Sequence, residues 1–113
     1  MQQADIIRVR HMIDAAREAS AFMRGRTRSD LDQNRLLALA LTRLVEIIGE
    51  AAGKISPEAS SQHLQIPWAD IVGMRNRLVH GYFEVDLDRL WDTITDDLPA
   101  LVTGLEEILR QER

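Results

Sequence analysis

The stretch SDLDQNRLLALALTRLVEIIGEAAG, residues 29–53, decides the fold class. Leu37, Leu41, Leu44, Ile48 and Ala51 recur at the spacing of one helical face, and Val45 and Ile47 widen that face. The opening Ser29-Asp-Leu-Asp predicts an N-cap with acids in the first turn, and Gly53 predicts the C-cap. A helix that is apolar over so much of its girth belongs at the centre of a helical bundle.

Working outward, the preceding segment predicts a helix over 4–24. Ile6, Val9, Ile13 and Ala16 mark its apolar stripe, and Gly25 ends it. Downstream, Pro57 and Pro67 bracket an irregular stretch with room for a short helix at most. A third long helix is expected over 67–80, starting at Pro67 and broken by Gly81. Residues 82–86 read as an extended linker. Asp86 or Asp88 caps the next helix, which carries Leu90, Trp91, Ile94 and Leu98. Pro99 kinks that helix or restarts it as a fifth. The reading is an all-α, up-and-down bundle of four or five helices.

Composition agrees. The chain has 113 residues, which fits one domain over 1–113, and 45% of them are hydrophobic, enough for a core. With only 4% aromatic residues, the aliphatic side chains and Ala must build that core. There is no Cys, so disulfides, thiolate catalysis and Cys-based zinc sites are excluded. No apolar run approaches the roughly 20 residues of a membrane span, and the first ten residues lack a signal-peptide core, so a cytoplasmic protein is expected. A monomer this small would be only modestly stable, and packing against a second copy would help.

The chemistry concentrates in the third helix. With Ile71 at zero on a helical wheel, Met74, Leu78, Val72 and Val79 fall in one apolar arc, and Arg75 falls inside it at about 40°. A guanidinium there must reach past its neighbours to water or face a groove or partner, because burying it unpaired costs several kcal/mol. Asn76 and His80 are four residues apart and share a face, and Gly73 lies on that face too, beside His80 in angle. Each residue also has a plain structural reading: a snorkelling Arg, a His at a helix C-terminus, an aromatic anchor at Tyr82. Together they form a denser polar cluster than packing requires.

The string Ile71-Val-Gly-Met-Arg75-Asn76-Arg-Leu-Val-His80-Gly-Tyr82 resembles the signature of the HEPN superfamily: an Arg, four intervening residues, then His. Its His-x-Tyr ending is similar to that of the HepT toxins of HepT/MntA (type VII) toxin–antitoxin pairs. The resemblance implies a metal-independent endoribonuclease in which the ribose 2′-hydroxyl attacks the adjacent phosphate and leaves a cyclic phosphate. It implies Arg75, Asn76 and His80 as catalytic residues. It implies Tyr82 as the site where an MntA-like nucleotidyltransferase antitoxin adds AMP. The residue types suit that chemistry. A His titrates near neutrality and can move a proton, and an Arg can offset charge developing on a phosphate. No metal-ligating constellation competes, since His11, His63 and His80 are scattered and no Glu-x-x-His occurs. No cofactor is expected.

On one continuous helix, Arg75 and His80 would stand about 7.5 Å apart along the axis and about 140° apart around it. A twofold dimer that pairs the two third helices would converge them, and a higher oligomer is compatible with this. The rival readings are a non-catalytic HEPN-like module that supports a nucleotidyltransferase, and an α-helical oligomerisation protein without a ligand.

The net charge of -4 is unevenly spread. Residues 1–28 carry six Arg against three acids, whereas residues 84–113 carry three Arg against nine. The composition excludes a protein that coats nucleic acid by bulk charge, but not a local basic cleft. Arg24, Arg26 and Arg28, together with Arg77 beside Arg75, are the expected RNA-binding residues.

Overall fold

The computed structural model describes residues 1–81 and 84–112. The fold is a helical bundle, as the periodicity requires. Helix α1 (Gln3–Met23) packs against α3 (Arg35–Gly53) and α8 (Leu98–Gln111), and α3 carries α5 (Trp68–Val72) and α6 (Met74–Leu78) on its other side. Val9, Met12 and Ala16 of α1, Leu41, Val45 and Ile48 of α3, and Leu105 and Ile108 of α8 are fully buried between them. Leu78 and Leu90 close the same core from the site side. Burying a Leu, Ile, Val or Met side chain contributes about 1.5–3 kcal/mol, so this aliphatic core needs few aromatics.

The expected helix over 29–53 is two helices. Helix α2 (Arg28–Gln33) starts after Thr27, not Ser29, because the Thr27 N–H donates to Asp30 Oδ2 at 2.6 Å. Asn34 then leaves helical geometry (φ -127°, ψ 91°), and its side-chain oxygen accepts from Leu37 N–H at 3.0 Å. An Asn that caps the next helix satisfies an otherwise unpaired N–H, which helical periodicity alone does not reveal.

The expected helix over 67–80 is also interrupted. Helix α5 ends at Gly73, where ψ is -3°, α6 restarts at Met74, and helical geometry is over by Val79 (φ -110°, ψ 120°). Val79–His80 forms strand β1 and pairs antiparallel with β2 (Glu84–Val85), with Val79 opposite Val85 and His80 opposite Glu84. Part of the expected extended linker is therefore a ladder strand. Asp86, not Asp88, caps α7 (Leu87–Asp92) by accepting from Arg89 N–H at 3.0 Å. The chain then passes through a π-helical turn (Thr93–Asp97) straight into α8, with Pro99 in its first turn. The widened turn precedes a residue that lacks an N–H and crowds the preceding carbonyl ladder.

The start of α1 is tied to α4 (Pro57–Gln62) by a buried acid. Asp5, only 2% exposed, accepts from Ser56 N–H at 2.9 Å and from Ser56 Oγ at 2.7 Å. Burial would push its carboxyl up, but the two Ser56 hydrogen bonds and Arg8 outweigh burial and hold it below its ordinary value.

Candidate functional site

Arg75 and Asn76 sit side by side on α6, where α6 faces α3. They share a shallow depression of about 490 Å³ with Glu46, Gly49, Glu50, Gly53, Lys54 and Val72. Its base depends on Gly49: a Cβ there would stand 3.2 Å from the Ile71 carbonyl oxygen and 3.4 Å from that of Val72. The missing side chain lets the end of α5 lie directly on α3, which brings α6 and Arg75 to the α3 surface.

Arg75 does not enter the core. Its Nε stands 3.4 Å from Glu46 Oε2, with both side chains partly solvated. Glu46 Oε1 also accepts from Arg43 Nη1, and that same nitrogen stands 3.6 Å from Glu50 Oε1. An ion pair as solvated as this is worth about 0–1 kcal/mol of stability. Asn76 is exposed, and among the described residues its side chain makes no hydrogen bond. Lys54, the sole lysine of the chain, faces the same depression at the end of α3.

His80 is not on the helix that carries Arg75. It lies on β1, exposed, one residue before Gly81, whose φ is +67°. The shared helical face expected for Asn76 and His80, and the axial separation expected for Arg75 and His80, do not apply, because the backbone turns extended at Val79. His80 does not line the Arg75 depression. Tyr82 lies outside the described residues.

The other basic residues are placed apart from Arg75. Arg77 donates to the Asp70 carbonyl, its Nη1 stands 3.8 Å from Asp70 Oδ1, and it lines a second cavity of about 420 Å³ between α5, the π-helical turn and α8. Arg28 is engaged by Asp88 at 2.8 Å and Asp32 at 3.1 Å. Arg26 Nε donates to the Phe22 carbonyl at 3.0 Å, and Arg24 is exposed at the end of α1. None of Arg24, Arg26 and Arg28 lines either cavity.

Residues 12–108, which include the whole depression and His80, match the HepT-like ribonuclease family. The chain belongs to that family. It is 36% identical over 91 residues to a protein of Caldanaerobacter subterraneus subsp. tengcongensis named "Putative RNase TTE0752", over 80% of this chain and 81% of that one. It is 41% identical over 69 residues to the "Probable ribonuclease HepT" of Thermococcus cleftensis, over 61% of this chain and 63% of that one. A third relative, "Putative RNase MJ1380" of Methanocaldococcus jannaschii, is 30% identical over 95 residues, over 84% and 87% of the two chains. No solved structure matches the chain.

In this member of the HepT-like family, Glu46, Gly49 and Lys54 join the Arg75 site without any local sequence signal. Glu46 and Lys54 lie some 20 to 30 positions upstream and read as ordinary solvated residues of the central helix. The packing of α6 on α3 is what brings them to Arg75.

Proposed function

We propose that the chain is a toxin endoribonuclease that cleaves RNA without a metal ion, at a site built from Arg75, Asn76 and His80 where two copies meet. The observation that carries this reading is the open depression holding Arg75 and Asn76, with His80 presented on an exposed ladder at the end of the same segment. Family membership supplies the reaction class.

In the proposed reaction, His80 takes the proton of a ribose 2′-hydroxyl. The 2′-oxygen bonds to the adjacent phosphorus and the bond to the 5′-oxygen breaks. The leaving oxygen takes a proton from the protonated His80 of the second copy. The products are a 2′,3′-cyclic phosphate and a 5′-hydroxyl. Arg75 offsets the charge that develops on the non-bridging oxygens, and Asn76 donates to the phosphate or orients His80. Arg24, Arg26, Arg28 and Arg77 hold flanking phosphates. The dimer is supported by exposed apolar residues: Leu36 and Leu39 lie on the α3 stripe that continues through Arg43, Glu46 and Glu50, and Val72 borders the depression.

The proposal extends to silencing. A nucleotidyltransferase antitoxin adds AMP to Tyr82, two residues from His80, and the added bulk and negative charge oppose RNA binding.

The deciding experiment incubates purified protein with RNA in a metal chelator, beside Arg75→Ala and His80→Ala. Cleavage to cyclic-phosphate ends by the unaltered chain, reduced at least about 100-fold in both variants with the dimer retained in sedimentation, is the expected result. No cleavage by the unaltered chain would favour the non-catalytic module. Incubation with the antitoxin and ATP is expected to raise the mass by one AMP unit on Tyr82.

A further inference from the structure

We infer that Glu46 is a positioning residue for Arg75, holding its guanidinium by Nε so that the terminal nitrogens face the substrate phosphate; this rests on the ribonuclease reading of the Arg75 depression. Glu46 Oε2 stands 3.4 Å from Arg75 Nε. This is an ion-pair contact: among the described residues, no nitrogen of the Arg75 guanidinium makes a hydrogen bond. A guanidinium has five donors in a rigid fork, and an ion pair beside the Nε edge leaves the terminal edge to take two phosphate oxygens.

The carboxylate is itself held. Its other oxygen accepts from Arg43 Nη1, which also approaches Glu50. Glu50, Arg43, Glu46 and Arg75 thus form an alternating chain of charge along the outward stripe of α3 and onto α6. Swinging to water would take Glu46 away from Arg43, so Arg43 biases it toward the orientation that faces Arg75.

The charge logic gives the inference a sign. An acid at the floor of a phosphate site repels the polyanion, so removing it should tighten RNA binding if it were only a neighbour. If it positions Arg75, removing it should slow the chemical step even though binding is unchanged or tighter. Geometry lost at a reacting centre costs up to about 100-fold in rate, well beyond what a solvated ion pair contributes to stability.

The experiment measures single-turnover cleavage and RNA affinity for Glu46→Gln and Glu46→Ala beside Arg75→Ala. Glu46→Gln keeps a polar oxygen beside Nε but loses the charge, so the expected order of rates is unaltered chain, then Gln, then Ala. The Ala variant should be roughly 10- to 100-fold slower, with affinity unchanged or increased. Equal or faster cleavage by Glu46→Ala, with Arg75→Ala inactive, overturns the positioning role alone. Cleavage by Arg75→Ala at the full rate overturns the site reading and this inference with it. An independent readout needs no turnover. The Arg75 Nε–H signal in NMR should exchange with solvent faster in Glu46→Ala than in the unaltered protein, and identical exchange would overturn the pairing. Glu46 is partly solvated on a helix surface, so both variants should fold, and thermal melting checks that they do.

Discussion

Val79 pairs with Val85, and this two-residue antiparallel ladder sets the direction in which His80 leaves the domain. The ladder is closed on its far side by Asp86 N–H donating to the Leu78 carbonyl at 2.7 Å. Gly81 follows His80 with φ at +67°. That conformation costs a residue with a Cβ about 1–2 kcal/mol. Gly81→Ala is therefore expected to destabilise the fold by about 1 kcal/mol and to lower RNA cleavage by displacing His80. Thermal melting and cleavage rates check this, and a variant that matches the unaltered chain in both would show that the turn does not position His80.

Gly49 and Gly53 are both on α3, but alanine should act oppositely at the two. At Gly49 the new Cβ meets the Ile71 and Val72 carbonyls at 3.2 and 3.4 Å, so α5 must move outward. Overpacking of this kind costs about 1–3 kcal/mol. At Gly53 the Cβ would meet only Val72 Cγ2 at 3.8 Å, an ordinary contact, and Ala gains up to about 1 kcal/mol of helix propensity over Gly. Urea denaturation should show Gly49→Ala less stable and Gly53→Ala unchanged or more stable.

Asp5 should make the fold sensitive to acid. Burial opposes its charge, but Ser56 and Arg8 hold its folded pKa below the ordinary 3.8. A depressed carboxyl contributes stability above its unfolded pKa and loses it as pH falls through the folded value. Asp5→Ala is expected to cost about 1–3 kcal/mol at neutral pH, since Ser56 loses the acceptor for its two half-buried donors. The gap between the unaltered chain and Asp5→Ala should hold steady down to about pH 5 and shrink below 3.8. Urea titrations at pH 7, 5 and 3 measure it, and a gap that stays constant to pH 3 would sink the idea.

Arg24 and Arg28 should differ in their effect on RNA binding. Each phosphate contact to single-stranded RNA steepens the salt dependence of log K by about 0.7. Arg24→Ala should flatten the slope by about that amount. Arg28 already spends its guanidinium on Asp88 and Asp32, so Arg28→Ala should flatten it less. Fluorescence anisotropy across a salt series reads the slope directly, and no change in either variant would remove this cluster from the RNA interface.

Helix periodicity carried most of the architecture. The apolar stripe through Leu37, Leu41, Leu44 and Ile48 marks the central helix, and all four are buried. What periodicity missed are the places where a polar side chain or a strand partner outcompetes helix continuation. Asn34 satisfies the Leu37 N–H with its own side chain, which ends one helix and begins another. The backbone shifts at Gly73 (ψ -3°) between α5 and α6, and the ladder with Glu84–Val85 draws Val79–His80 out of the helix. A ladder strand four residues away leaves no helical signature, because pairing of two short strands is decided by partners rather than by propensity.

The sequence by itself determined that this chain is a helical bundle, because a repeating apolar face must be buried wherever the helix goes. It also determined the family, because Arg75, Asn76, His80 and Tyr82 form a local string that can be read without knowing where any of them points. Only the tertiary structure decided what surrounds Arg75. Glu46 and Lys54 reach it because the end of α5 lies close on α3, where Gly49 carries no side chain to hold the two apart, and α6 follows α5 onto that surface. Spacing along the chain records which residues share a face. It does not record which faces meet, since that depends on the volumes of side chains far apart in sequence.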